Sequence, residues 1–128
     1  MSSTTAQGDA APPDLAIFAV DTEFTGSAVR LTVRGELDLA TAGIFADALR
    51  AVWSRDLDRI EIDLRELTFI GSAGVAAILE ANTRARDAGC ALTLVRGPQP
   101  VHRIFELTGI EGQFAFRQPP RAVVRAGS

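Results

Sequence analysis

A serine flanked by residues with little or no side chain, Gly71-Ser72-Ala73-Gly74, is the first place in this chain where chemistry could sit. As a nucleophile, Ser72 would need a G-x-S-x-G elbow and a histidine to take its proton. The first glycine of that pattern falls on Ile70. The single histidine, His102, opens a helical stretch off its apolar face, which predicts a solvated side chain rather than a base. Ester hydrolysis is therefore the weakest reading of Ser72. Cys90 lies in an apolar run, where a thiol is neither activated nor ligating, and alone it can form no intrachain disulfide. One histidine and one cysteine cannot supply the four nitrogen or sulfur ligands of a structural zinc site. No metal or other cofactor is expected. Asp38 and Asp63 could be imagined as an acid/base pair, but each stands where a strand runs out, a position that favours capping or solvation.

Composition narrows the function classes. The chain has 128 residues, 47% of them apolar, enough for one domain with a substantial core. Its 13 basic residues are all arginine and face 16 acidic ones, for a net charge of −3. A nucleic-acid surface needs clustered positive charge, and these arginines are scattered, so direct nucleic-acid binding is not expected. Without lysine there is neither a P-loop nor Schiff-base chemistry. No apolar run approaches the ~18 residues of a membrane span, and the first residues lack the basic and apolar parts of a signal peptide. The lone cysteine suits a reducing compartment. The expectation is a cytoplasmic protein with no membrane span.

The elements that must position Ser72 are legible from periodicity. Residues 1–13 are small and polar, ending in Ala11-Pro12-Pro13, and predict a disordered tail. Leu15 to Phe24 and Ala28 to Leu37 read as antiparallel strands joined at Thr25-Gly26-Ser27, the second with Val29, Leu31 and Val33 inward. Phe45, Ala48, Leu49 and Val52 recur at helical spacing, capped by Asp38 or Thr41 and closed at Trp53. Ile60-Glu61-Ile62-Asp63-Leu64 alternates apolar with acidic, as a half-buried strand does. Thr68 to Val75 joins that strand to a second helix whose inward stripe is Val75, Ile78, Leu79, Asn82 and Ala85. Ser72 falls at or beside its N-cap, where a hydroxyl can accept from free N–H groups. Glu80 and Arg84 have the spacing of an outward i,i+4 pair, and Gly89 ends the helix. Leu92 to Val95 predicts another strand, Val101 to Thr108 a third helix stopped by Gly109, and Phe114-Ala115-Phe116 a last short strand. Alternating strands and helices call for an α/β sheet with parallel pairs.

Taken together, these segments resemble the STAS domain, the family of bacterial anti-sigma factor antagonists. The junction at Gly71 to Gly74 is similar to the family's D-S-S-G signature, Gly35-Glu36-Leu37-Asp38 to its G-E-L-D segment, Ile62-Asp63-Leu64 to its central strand, and Val101 to Gly109 to its helix ending in L-T-G. The resemblance covers roughly residues 15 to 116. It implies a STAS-like mixed sheet of about five strands with helices packed mainly on one face, spanning 14–117, with a loose C-terminal tail over 118–128. Family members often end in a further helix, but residues 117–128 have neither the length nor the periodicity for one.

The resemblance also implies a function. Ser72 matches the serine that a partner kinase phosphorylates, and Ala73 replaces the second serine without removing the acceptor. Gly74 matches the signature glycine. Gly71 stands where the family has aspartate, and Asp38 matches an aspartate that contacts the kinase. A partner-binding surface of Asp38, Gly71, Ser72, Ala73 and Gly74 follows. The protein would be a non-enzymatic binding module that sequesters an anti-sigma factor, itself a serine kinase holding the ATP, and so frees a sigma factor. A STAS scaffold or lipid-transport subunit that works without phosphorylation is the alternative.

Overall fold

The structure is a computed structural model, and it describes residues 18–118. The expected tail over 1–13, the opening of the first strand and nearly all of the C-terminal tail lie outside those residues. Strands β1 (Ala19–Thr25) and β2 (Ala28–Leu37) form an antiparallel hairpin whose closing pair is Thr25 and Ala28. Gly26 in the two-residue turn has φ +61°, a conformation that strains side-chain-bearing residues. Helix α1 (Ala42–Trp53) then crosses to β3 (Arg59–Asp63), which runs parallel to β2. After β4 (Leu67–Ile70), helix α2 (Ser72–Asp87) leads to β5 (Ala91–Val95), parallel to β3. Helix α3 (Gln99–Leu107), a 3-10 turn (Glu111–Gln113) and β6 (Ala115–Arg117), parallel to β5, complete the described chain. The strand order is β1-β2-β3-β5-β6, with β4 paired to β2.

Alternation along the strands separates two faces. Val29, Leu31, Val33, Ile60, Ile62, Leu92 and Leu94 are buried in one core with Phe45, Leu49 and Val52 of α1, Ile78 and Ala85 of α2, and Val101 and Phe105 of α3. The opposite face carries ion pairs, in which Glu61 accepts from Arg30 at 2.9 Å and from Arg117 at 2.5 Å. Exposed pairs of this kind contribute little each. Among the described residues no helix is long and apolar enough to cross a membrane.

Six strands are present where about five were expected. The stretch from Ile60 to Ile70 is two strands with a turn at Leu64-Arg65-Glu66 between them, because β2 is long enough to hold both. Residues Ala28 to Thr32 pair with β3, and Gly35 to Leu37 pair with β4. The register shifts between Gly35 and Glu36, and Gly35 has φ +94°. A residue without a Cβ accommodates this irregularity at low cost.

Three side chains depart from their expected surroundings. Asp63 caps the strand end, one of its two expected roles, accepting from the Arg65 backbone N–H at 3.0 Å and from its guanidinium at 2.7 Å, but it does so from a buried position and is not solvated. Arg84 lies over the Trp53 ring, 5.3 Å from its centroid, instead of pairing with Glu80. His102 was expected in solvent and is only 1% exposed. The chain beyond α3 doubles back and sets Phe116 edge-on to the imidazole at 4.8 Å, a long-range return that helical periodicity cannot register.

A Cβ on Gly74 would lie 2.5 Å from the Leu37 carbonyl oxygen and 2.9 Å from Ile70 Cγ1. Gly74→Ala gains up to ~1 kcal/mol of helix propensity but forces overpacking that costs about 1–3 kcal/mol. A lower chemical denaturation midpoint is expected; an unchanged or higher one would contradict the close approach. For Asp63, burial raises the carboxyl pKa, but hydrogen bonds from the Arg65 side chain and backbone outweigh it, leaving the group below the ordinary value. Its stabilisation is thus full above the unfolded value of about 3.9 and is lost as pH falls through the lower folded one. Asp63→Asn should be less stable at neutral pH, with the deficit narrowing below about pH 4. A deficit that stays constant down to the acid transition would refute this.

Candidate functional site

The junction that presents Ser72 is built by β2 and β4 together. The Gly71 N–H donates to the Leu37 carbonyl at 2.9 Å, and the Gly71 carbonyl accepts from Val75 N–H at 3.0 Å. Gly71 is extended, with φ −101° and ψ −179°, and is the N-cap of α2. Ser72 is therefore the first helical residue, beside the cap and not at it. The cap position is taken by a glycine, which has no side chain to bond the free N–H groups, so Ser72 is not the capping residue that its position could suggest. It is exposed. No acidic residue stands in the first turn of α2, so nothing there offsets the positive end of the helix dipole.

Asp38 sits next to this junction. A Cβ on Gly71 would lie 3.6 Å from Asp38 Cβ and 3.4 Å from the Phe69 ring. The Asp38 carbonyl accepts from the N–H groups of Thr41 (3.2 Å) and Ala42 (2.8 Å), which starts α1. Its Oδ1 accepts from Ala40 N–H at 3.0 Å. One carboxylate oxygen thus shapes the turn while Oδ2 has no such task. Thr41 occupies the N-cap of α1, but its hydroxyl donates to the Glu36 carbonyl at 2.7 Å instead of capping the helix.

The five residues expected to share a surface are placed at two depths. Ser72 is exposed, and Asp38, Gly71 and Ala73 are half-buried around it. Gly74 is buried beneath them against Leu37 and Ile70, so its bare Cα serves the approach of α2 to β2 and not that of an outside backbone. Sequence reasoning missed the apolar residues beside this surface. Phe69 is 49% exposed and Leu39, next to Asp38, is 84% exposed. The pairing of β4 with β2 points Leu67 and Ile70 inward and leaves Thr68 and Phe69 outside, a pattern readable only once β4 is separated from β3. The sole imidazole bonds to Glu111, with Nε2 2.6 Å from Oε2, and does not serve the serine.

Comparison with known proteins bears on the family and the fold. The family model described as Mlab, STAS domain, matches residues 20–123. An anti-sigma factor antagonist from Mycobacterium paratuberculosis superposes with a TM-score of 0.72 at 23% identity, over 84% of this chain and 89% of that one. The phosphorylated form of the Bacillus cell fate determinant SpoIIAA gives 0.62 at 21% identity, over 80% and 93%. An antisigma-factor antagonist STAS domain from Rhodobacter sphaeroides gives 0.56 at 26% identity, over 62% and 86%. At such identities the first two likenesses are likenesses of fold, whereas the family model covers most of the chain. An α/β mixed sheet with three helices, a serine at the opening of the second helix and the match over residues 20–123 place the chain in the STAS domain family.

Proposed function

We propose that this STAS domain is an anti-sigma factor antagonist, a cytoplasmic binding module switched by phosphorylation of Ser72. The observation that carries the reading is the exposed serine at the first turn of α2, outside the cap and beside Asp38. The partner is an anti-sigma factor that is also a serine kinase and supplies the ATP. In the unmodified state the surface of Asp38, Gly71, Ser72 and Ala73, flanked by Leu39 and Phe69, engages that partner and keeps it from the sigma factor. The domain performs no chemistry of its own.

A phosphate on Ser72 adds roughly −1.5 to −2 charges at a helix N-terminus, where free N–H groups and the dipole favour an anion. The fold tolerates it. At the interface the same charge must shed water, and one like charge 4 Å away opposes it by ~4 kcal/mol at an effective dielectric of 20, about a thousandfold in affinity. Release is then local electrostatics, with no large rearrangement. Gly71, in place of the family aspartate, favours a second reading, a STAS scaffold or lipid-transport subunit that binds without being phosphorylated.

The switch is tested by titrating the partner against two variants. Ser72→Ala should bind constitutively, and Ser72→Glu should bind more weakly with an unchanged circular dichroism spectrum. Equal affinity of Ser72→Glu and the unmodified protein at low and high salt would reject the switch; stable co-purification with a partner and no modification would support the second reading. For Asp38, substitution by asparagine keeps an Oδ1 acceptor for the Ala40–Thr41 turn and removes only the charge. Asp38→Asn should lower affinity with little loss of stability, and a stability loss of ~1 kcal/mol with unchanged affinity would make Asp38 a turn residue alone. Gly71→Asp should speed phosphorylation of Ser72 if the missing carboxylate is the handicap, and equal rates would show the departure to be neutral.

A further inference from the structure

A second cluster of chemically capable side chains lies in the segment that follows α3. His102 is held almost entirely inside the protein by Phe105 and Phe116, yet its Nε2 reaches two side chains at the surface. Nε2 lies 2.6 Å from Glu111 Oε2 and 3.9 Å from Glu106 Oε2. One donor atom from each of the three residues falls within 4.8 Å of the other two. Both glutamates are about half exposed, at 41% and 45%. Among the described residues neither makes an ion pair with an arginine, although the chain carries 13 basic side chains, all arginine. Two carboxylates brought this close to a single imidazole nitrogen repel one another, and a positive charge between them, on the ring or on a bound ion, relieves that repulsion.

We propose that His102, Glu106 and Glu111 bind a divalent first-row metal ion of the zinc type, with solvent at the remaining position. A mixed nitrogen and carboxylate donor set suits such an ion, and three protein ligands with one open position is a familiar arrangement for zinc. Bonds of about 2.0–2.2 Å require tetrahedral donors to stand roughly 3.3–3.6 Å apart. The Glu111 contact must therefore open and the Glu106 contact close, each by well under the reach of a surface glutamate. Helix α3 fixes the i,i+4 pair His102 and Glu106 on one side. The 3-10 turn that carries Glu111 is anchored by Asn82, whose Nδ2 donates to the Gln113 carbonyl at 3.0 Å. The ion would thus tie α3 to the return segment that leads into β6.

Proton placement limits the affinity. In the neutral ring Nε2 carries the proton, since it donates to a carboxylate. Metal on Nε2 requires that proton to leave and Nδ1 to become the N–H, a change of tautomer with no net proton released. Nδ1 is buried without a hydrogen-bond partner among the described residues, whereas metal-bound imidazoles usually have a donor contact there. A dissociation constant on the order of micromolar is expected, not the tighter binding of structural zinc sites.

The experiment uses the full chain, stripped with chelator and titrated with Zn2+ by calorimetry and by imidazole nitrogen NMR. With a single histidine the ring signals report the site directly. The expected result is one equivalent bound, with the Nε2 resonance shifted and the Nδ1–H tautomer populated. Glu106→Gln and Glu111→Gln, both at half-exposed positions, should each weaken binding by about tenfold or more, while Cys90→Ala should leave it unchanged. These glutamate variants carry the test because replacing buried His102 could unfold the protein. No binding at about 1 mM Zn2+, binding indifferent to both glutamates, or binding lost with Cys90 would each overturn the proposal.

Discussion

No side chain fits at position 74. A Cβ there would stand 2.5 Å from the Leu37 carbonyl oxygen and 2.8 Å from Leu37 Cγ, so the first turn of α2 rests directly on the end of β2. This contact sets the geometry of the site. It buries Val75 and Ile78 behind it, turns Ser72 outward, and brings Gly71 close enough to bond the Leu37 carbonyl. Since Asp38 follows Leu37 in the chain, the backbone contact that seats the helix also places Asp38 beside the serine junction.

The sheet supplies the other half of that arrangement. Strand β2 pairs with β3 along its first half and with β4 along its last residues, the change being made at Gly35. Strand β4 therefore ends level with Leu37, and the helix that follows it opens beside that end of β2 with Ser72 exposed. A negative group on Ser72 meets a favourable field from α2 and an unfavourable one from Asp38. Under the proposed function, that balance would keep a modified domain folded while altering what its surface accepts, with no conformational change required.

Much of this was legible in the sequence because it depends on local periodicity. Val29, Leu31 and Val33 alternate, Phe45, Leu49 and Val52 recur helically, and the left-handed glycines at 26, 89 and 109 stand at the turns and helix ends where such residues are expected. What escaped depends on contacts distant along the chain. The division of Ile60 to Ile70 into two strands follows from a register shift in β2, some thirty residues earlier. The burial of His102 follows from the return of Phe114 and Phe116 over α3. The exposure of Phe69 beside the serine follows from the pairing of β4 with β2, and the split of the signature into an exposed serine and a buried glycine from the way α2 faces the end of β2. Of these, only the burial of Gly74, which extends the inward stripe of α2, leaves a trace in the periodicity.

The claim at the centre of this account is that a phosphate on Ser72 changes a surface and not a fold. Comparison of backbone amide NMR spectra of the unmodified and the kinase-phosphorylated protein tests it most directly. The account predicts one phosphate, on Ser72, with shifts confined to the Glu36–Thr41 turn and the Thr68–Ala76 junction. Shifts spread through β3, β5 and α3, or phosphate found elsewhere than on Ser72, would contradict it.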